Sequence, residues 1–259
     1  MSEILNHING FLPVYRVLNR EENLDFFRDV LGLKVLLEEG AMVFLGGHES
    51  KKRRLVLEES PGHRTVKGDK KHAATVLVGQ ADEVAQLLVG HLDAVSKVFF
   101  DGQCFGFEAI SPENDVFQLL SEGLSVLTEV EKEGVRKKSV KKSDHQGLSE
   151  VRVMTLELNS SNGAVLDFVG ALLGADVTRN QLRLPFVKMI EHETQGVDLA
   201  ARADETLDLE LLYFSVDDAV DLVEFSKKAD EKSNPYLDQS KRTLSIEAPN
   251  HMEVWFVKA

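Results

Sequence analysis

Two histidine–glutamate pairs are the first places where the sequence could carry hydrolytic chemistry. A zinc peptidase of the H-E-x-x-H type needs two histidines four residues apart, because both imidazoles must share one helical face. His192 precedes Glu193, but Gly196 occupies the second histidine position, and after His48 that position is Lys52. The sequence also has no G-x-S-x-G segment, the nucleophile turn of many serine hydrolases. These patterns leave the catalytic residues of any hydrolase unknown.

Cys104 is the other candidate nucleophile. It is the only cysteine in the chain, which excludes an internal disulfide and is typical of a reducing compartment. A lone cysteine beside apolar neighbours is usually an inert structural residue. A nucleophilic role would need partners that are distant in sequence, so both interpretations stay open.

Arg16 is the strongest candidate for binding an anionic ligand. It alternates with Leu12 and Val14 on a predicted strand, so all three should point into one cleft. A guanidinium can give a polar or anionic ligand two charge-assisted hydrogen bonds, and it can equally pair with a carboxylate of the protein. Near the other end of the chain, Trp255 could stack on a ligand or pack in the core.

The elements that must position these residues are clearest in residues 11–40. Alternating apolar positions predict a strand, and Asn19 then caps a helix with a Leu and Phe stripe. Gly32 should end this helix, since glycine enters the left-handed region without a Cβ penalty. Leu33–Leu37 follows as an apolar strand.

This strand–helix–strand unit recurs. Leu24-Asp25-Phe26 followed by Leu31-Gly32 matches Leu166-Asp167-Phe168 followed by Leu173-Gly174. Residues 111–118 likewise resemble residues 248–255, each a turn that leads into a last apolar strand. Two matches in the same order indicate an internal duplication. The sequence therefore predicts four strand–helix–three-strand modules in two pairs.

Composition shifts suggest where the domains end. We predict an N-terminal domain over residues 1–123, a charged linker over 124–149 and a C-terminal domain over 150–259. Lys67–Lys71 is interpreted as a solvated connector, Val197–Ala200 as a short strand, and Asp217-Asp218 as the start of a helix that reaches about Lys228.

The overall charge limits the choice of partners. A net charge of −13 argues against nucleic acid or an anionic membrane as the main partner. The first ten residues lack a basic region followed by an apolar run, so no secretory signal is expected, and no apolar stretch approaches membrane-spanning length. These features predict a cytoplasmic location.

The helix end Phe26-Phe27-Arg28-Asp29-Val30-Leu31-Gly32-Leu33 resembles that of the vicinal oxygen chelate superfamily, which includes glyoxalase, bleomycin-resistance proteins and extradiol dioxygenases. Residues 34–40 (KVLLEEG) and 55–61 (LVLEESP) are similar to the streptococcal CppA family. The resemblance covers the whole chain. It implies an α+β fold of four βαβββ modules and a proteinase activity on complement C3.

The resemblance also implies where metal ligands would lie, at the first and last strands of each module. By that alignment the candidate polar residues are Glu58, His72, Gln118 and Glu253, whereas Leu12 and Leu211 replace expected histidines. A divalent ion requires several imidazole or carboxylate donors, so we predict no metal and no other cofactor.

Two classes of function follow. The residues favour a metal-free protein that binds a small polar or anionic ligand or acts as a scaffold, with ligand-binding candidates Arg16, Glu58, His72, Gln118, Glu253 and Trp255. The family resemblance implies a peptidase acting on host C3, and a degenerate metal-dependent lyase or dioxygenase is a further alternative. Whether the protein is an enzyme stays open.

Overall fold

The computed structural model describes residues 4–136, 147–229 and 233–258. Within these ranges four βαβββ modules follow one another, and they confirm the predicted α+β class. The first two modules consist of β1 (Ile8–Val17), α1 (Arg20–Asp25), β2 (Lys34–Glu39), β3 (Met42–Gly46) and β4 (Leu55–Glu59), then β6 (His72–Gly79), α2 (Ala81–Gly90), β7 (Val95–Phe100), β8 (Phe105–Ile110) and β9 (Val116–Ser121).

The last two modules repeat this order. They consist of β11 (Arg152–Ser160), α4 (Val165–Leu173), β12 (Val177–Thr178), β13 (Gln181–Arg183) and β14 (Lys188–Glu193), then β16 (Leu209–Val216), α5 (Leu222–Ser226), β17 (Tyr236–Leu237), β18 (Thr243–Glu247) and β19 (Glu253–Lys258). Short elements connect the modules: β5 (Arg64–Thr65), β10 (Glu129–Val130), α3 (Lys132–Arg136) and β15 (Thr206–Leu207).

The chain divides into two compact units. The first unit comprises residues 1–16, 62–73 and 156–259, and the second comprises residues 17–61 and 74–155. In the first unit the strand orders are β17-β18-β19-β16-β1 and β11-β14-β13-β12, and β5 pairs with β15. In the second unit they are β4-β3-β2 and β6-β9-β8-β7-β10.

The predicted domain limits are not the limits of these units, because the first strand β1 belongs to the unit that holds the C-terminal modules. The limits at 123 and 150 therefore stay a prediction. Of the predicted linker, residues 137–146 lie outside the described residues. The described parts include buried side chains, Val135 and Leu148.

In the second and fourth modules the first and last strands are adjacent and parallel. β16 pairs in parallel with β19, and β6 pairs in parallel with β9. This arrangement follows from the helix and two antiparallel strands between them, which return the chain to the side of the first strand. Residues at the same level of these two strands therefore lie side by side on one face.

Aromatic side chains form the core on the helix side of each unit. In the first unit Phe256 stacks on Phe214 at 5.4 Å and meets Phe225 of α5 edge-on at 4.8 Å. In the second unit Phe27 meets Phe117 edge-on at 5.0 Å. Such edge-to-face and offset pairs add to the stability that burial alone provides.

Helix ends follow the sequence closely. The Asn19 side chain accepts hydrogen bonds from the amides of Glu21 and Glu22, and Gly32 and Gly174 have φ values of +68° and +70°. The helix after Asn19 becomes a π-helical turn over Phe26–Val30 before it ends.

Two predicted elements are wrong in place or type. Residues 197–200 form turns instead of a strand, and Val197 is 82% exposed. The last helix begins after Asp221, whose carboxylate caps it, and not after Asp217. Asp217 instead accepts a hydrogen bond from the Asn9 side chain.

Candidate functional site

The exposed face of three strands in the first unit carries polar and aromatic side chains. On β18 and β19, and over residues 213–216 of β16, the residues alternate between buried and half-buried positions, whereas residues 209–212 of β16 are all buried. Buried residues such as Phe214 and Phe256 pack on the helix side. The other face presents Tyr213, Trp255 and Ser245 as one cross-strand row, and Leu211, Glu253 and Glu247 as the next.

An open pocket of about 500 Å³ lies at this face. Its lining is almost wholly polar and consists of Arg202, Ala203, Asp204, Asn234, Ser245, Glu247, His251 and Glu253. We call it the acidic pocket, because three carboxylates line it against one arginine.

Two of these carboxylates are direct cross-strand partners. Glu247 on β18 lies opposite Glu253 on β19. Side chains in such a pair have Cβ atoms about 5 Å apart, so like charges there repel unless a donor or cation lies between them. Each carboxylate has its own donor: Asn234 Nδ2 lies 2.9 Å from Glu247 Oε2, and Trp255 Nε1 lies 2.7 Å from Glu253 Oε2.

His251 completes the environment of Glu247. Its Nδ1 contacts Glu247 Oε1, and both residues border the turn that connects β18 to β19. The hydrogen bonds from Asn234 and His251 hold the pKa of Glu247 below its usual range. Glu247 therefore carries its negative charge at neutral pH.

The rim of the pocket holds opposite charges. Arg202 Nε lies 3.2 Å from Asp204 Oδ1, and both side chains are about 70% exposed. The pKa of Asp204 is lowered by a backbone hydrogen bond, by Arg202 and by the positive charge of Arg16. Arg16, expected in a cleft, thus lies within electrostatic range of the acidic pocket.

The structure divides the six predicted binding residues between the two units. Arg16, His72, Glu253 and Trp255 belong to the first unit, and Glu58 and Gln118 to the second. Glu253 lines the acidic pocket, and the Trp255 indole donates a hydrogen bond to the Glu253 carboxylate. These two predicted residues therefore lie together.

His72 is buried and packs against another aromatic side chain. It is 4% exposed, its ring meets Tyr15 edge-on with centroids 5.1 Å apart, and its amide donates to Asp208 Oδ1 at 3.1 Å.

The two predicted residues of the second unit are half-buried. Gln118 Nε2 donates to Glu108 Oε2 at 3.1 Å, and Lys97 Nζ lies 2.9 Å from Glu108 Oε1. Burial alone would raise the pKa of Glu108, but the bonds from Lys97 and Gln118 outweigh it and lower that pKa. Glu58 lies opposite Met42 in the sheet.

The segment interpreted as a solvated connector is partly buried, which corrects that prediction. Lys71 is fully buried, and its Nζ lies 2.8 Å from Glu210 Oε2 and 2.8 Å from the carbonyl oxygen of Ala201. Nearby, Arg64 makes a bidentate pair with Asp198 at 2.6 and 2.7 Å. In the sequence alone this lysine-rich run resembles an exposed segment, because the carboxylates that pair with Arg64 and Lys71 lie more than 130 positions later in the chain.

Most residues of the acidic pocket were not predicted. Glu247 was accessible to sequence reasoning, since the Pro249-Asn250 turn places it opposite Glu253. Arg202, Asp204 and Asn234 come from loops whose approach depends on the tertiary fold, and no local pattern indicates them.

The residues present do not fit the metal site of the superfamily. Among the described residues, no group of three or more histidine, cysteine, aspartate or glutamate side chains is placed to hold a metal ion. Leu12 and Leu211 are buried apolar residues. Glu191, on the last strand of the third module, instead caps α4 by accepting the amides of Val165 and Leu166 at 3.0 and 2.9 Å.

Cys104 lies at a turn. Its amide donates to Asp101 Oδ1 at 2.8 Å, and its Sγ lies 3.9 Å from the carbonyl oxygen of Glu122. The carboxylate of Asp101 orders this turn by accepting three backbone amides, which keeps its pKa well below the usual range. These contacts place Cys104 in a turn that the Asp101 carboxylate orders.

Within the described part of the chain, no helix is long and apolar enough to cross a membrane.

Four βαβββ modules, with the first and last strands of the second and fourth modules paired in parallel, define a protein of the vicinal oxygen chelate fold. Glyoxalase I from Zea mays shares it, with a TM-score of 0.56 at 13% identity over 95% of this chain and 91% of that one. Residues 11–130 match the CppA N-terminal family and residues 148–256 match the CppA C-terminal family. The chain therefore belongs to the CppA family.

A solved relative supports this assignment over the full length. The cppA protein from Streptococcus pneumoniae is 26% identical, with a TM-score of 0.77 over 98% of this chain and 99% of that one. No curated protein sequence matches the chain.

Proposed function

We propose that this protein binds a small polar ligand, and that the acidic pocket takes a cationic group of that ligand. The observation that carries the proposal is the pair Glu247 and Glu253, two carboxylates directly opposite each other in a pocket of about 500 Å³. An ammonium or guanidinium group between them would relieve their repulsion and form charge-assisted hydrogen bonds.

Aromatic neighbours support a cation in the same place. Trp255 follows Glu253 on the same face of β19, and Tyr213 is its cross-strand partner. A ligand cation over the face of a tryptophan or tyrosine ring is attracted by the ring quadrupole, by about 0.5–2 kcal/mol. Acidic and aromatic side chains together therefore favour a ligand that bears an organic cation.

The proposal includes binding without a metal ion and a cytoplasmic location, both of which are expectations from the sequence. The proposal differs from the sequence-based expectation in the charge of the ligand, which is cationic instead of anionic. An anion held by Arg16 would have to approach the three carboxylates of the acidic pocket, which repel it.

Fluorescence of the single tryptophan can test the proposal directly. Titration with n-butylammonium chloride, against sodium chloride at equal ionic strength, should change Trp255 emission in a saturable way. Glu253→Gln should raise the dissociation constant about tenfold, because a hydrogen bond to a charged group contributes about 1.5–3 kcal/mol.

Glu22→Gln, at an exposed helix position, is the matched control and should bind as the wild type does. A response to sodium equal to the response to butylammonium, or unchanged affinity in Glu253→Gln, would contradict the proposal.

A peptidase is the second candidate, favoured by one observation. His251 is paired with Glu247, as a general base is oriented in a triad, and Ser245 lines the same pocket. Complement C3 is the substrate that the family resemblance implies. Purified protein incubated with C3 should then produce fragments, and Ser245→Ala and His251→Ala should each abolish them. Cleavage that persists in both variants would assign it to a contaminant or another site.

A further inference from the structure

A second pocket in the first unit lies beside a tight β-hairpin and has the opposite charge. Strands β12 and β13 are joined by Arg179 and Asn180, with φ values of +52° and +57°. Such a two-residue loop with both residues left-handed matches the twist of the strands and fixes their register. The hairpin thus has a rigid tip that carries an arginine.

The register places the polar side chains on one face. Leu182 is fully buried and pairs with Val177 on one side and Met189 on the other, so these three define the core face. The neighbouring positions point to the opposite face. They are Thr178, Gln181, Arg183, Lys188 and Ile190, with Arg183 directly opposite Lys188.

The pocket on this side has a volume of about 470 Å³ and is lined by Asp176, Thr178, Arg179, Gln181 and Arg183. We call it the basic pocket. Lys188 is the cross-strand partner of Arg183, one of the lining residues.

The cationic side chains of the basic pocket form no ion pair within the described part of the chain. Among the described residues, the side chains of Arg179, Arg183 and Lys188 have no ion-pair or hydrogen-bond partner. The chain has 43 acidic residues against 30 basic ones, so partners are abundant elsewhere. Two like charges directly opposite each other destabilise a strand pair, and an anion between them removes that cost.

We propose that the basic pocket binds a small oxyanion through a phosphate or carboxylate group. The arginine forks suit two oxygens of such a group, and the Thr178 hydroxyl and the Gln181 amide can donate to it. Asp176 is the one carboxylate in the lining and can accept a hydrogen bond from a hydroxyl of the same ligand. The proposal does not depend on the acidic pocket.

Isothermal titration with inorganic phosphate, at constant ionic strength maintained with sodium chloride, tests the site. The wild type should bind saturably with one equivalent, and Arg183→Gln and Arg179→Gln should each raise the dissociation constant at least tenfold. Succinate in place of phosphate distinguishes a carboxylate ligand from a phosphate ligand. Arg28→Gln, an exposed arginine of the second unit, is the matched control and should leave binding unchanged.

Lys188→Glu provides a test that does not depend on removing an arginine. The new carboxylate should pair with Arg183, so the melting temperature should rise in the absence of anion and the stabilisation by phosphate should disappear. The proposal is overturned if neither phosphate nor succinate binds at tens of millimolar. It is also overturned if binding is equal in the wild type, Arg183→Gln and Lys188→Glu.

Discussion

Arg16 is placed to set the charge at the rim of the acidic pocket. Its positive charge acts on Asp204, which lines the pocket and pairs with Arg202. Two arginines beside one aspartate at the rim leave Glu247 and Glu253 as the carboxylates available to a cationic group deeper in the pocket. At the residue scale, the ligand specificity of the acidic pocket therefore depends on the positions of these two arginines.

Replacing Arg16 separates the two roles considered for it. Arg16→Gln should strengthen butylammonium binding about two- to fivefold, because removing one positive charge at this range changes the interaction energy by about 0.5–1 kcal/mol. Arg16→Lys keeps the charge and should bind as the wild type does. The measurement is the Trp255 fluorescence titration.

Arg20→Gln, in the second unit, controls for a general change in net charge. If Arg16→Lys and Arg16→Gln both lose binding of a carboxylate probe while butylammonium binding is unchanged, Arg16 holds an anion through its fork, as the sequence first suggested.

At the scale of elements, two glycines end corresponding helical segments in different surroundings. Gly174 follows α4 in open space, whereas a Cβ at Gly32 would lie 2.6 Å from Leu87 Cδ1 and 3.2 Å from Gly147 Cα. Both have positive φ, so both resist substitution through backbone strain. Only Gly32 also resists it through packing.

Alanine substitutions should separate these two costs. Gly174→Ala should lower the free energy of unfolding by about 1–2 kcal/mol from left-handed strain alone. Gly32→Ala should cost more, by a further 1–3 kcal/mol, because the methyl group overpacks its neighbours. Urea unfolding measures both.

Gly90, in the last turn of α2, is the control, because a Cβ there meets nothing within 4 Å. Gly90→Ala should raise the free energy of unfolding by about 0.5–1 kcal/mol. Equal losses in Gly32→Ala and Gly174→Ala would show that packing around Gly32 relaxes freely.

Elements with local signals could be predicted from the sequence. The Asn19 cap and the Gly32 and Gly174 helix ends depend on neighbours a few positions away. Residues 197–200 misled because a four-residue segment with one aspartate among apolar residues is too short for its periodicity to distinguish a strand from a turn. Val197 is exposed, so its apolar side chain does not pack in the core.

At the scale of the molecule, the four modules could be predicted from the sequence, but the pairing between strands of different modules could not. β1 pairs antiparallel with β16, about 200 positions later in the chain, so Arg16 lies in the unit of Glu253 and Trp255. Module repeats specify the order of helices and strands within each module. Pairing between modules depends on long-range packing that no local pattern encodes.

Long-range packing also created the buried charges around Lys71. Its ammonium lies against Glu210, Thr206 Oγ1 donates to Glu210 Oε1 at 2.9 Å, and the carboxylate of Asp208 lies nearby and accepts the Lys71 and His72 amides. Burial raises the pKa of Glu210 to about 7 from 4.5, although the ammonium of Lys71 opposes the shift. A second carboxylate, Asp198, has its pKa lowered to about 2 by hydrogen bonding to Arg64.

These two shifts predict opposite slopes of stability against pH. Glu210 binds its proton more tightly in the folded state, so its contribution is complete below pH 4.5 and is lost as the pH rises to about 7. That loss is about 3 kcal/mol in the free energy of unfolding. Asp198 acts in the acid range, where its contribution is lost as the pH falls from 3.8 to about 2.

Urea unfolding from pH 2 to 8 measures both contributions. Glu210→Gln should flatten only the upper window and Asp198→Asn only the lower one, so each variant controls for the other. A wild-type stability that rises between pH 4.5 and 7, with Glu210→Gln parallel to it, would show that Lys71 keeps Glu210 ionised throughout.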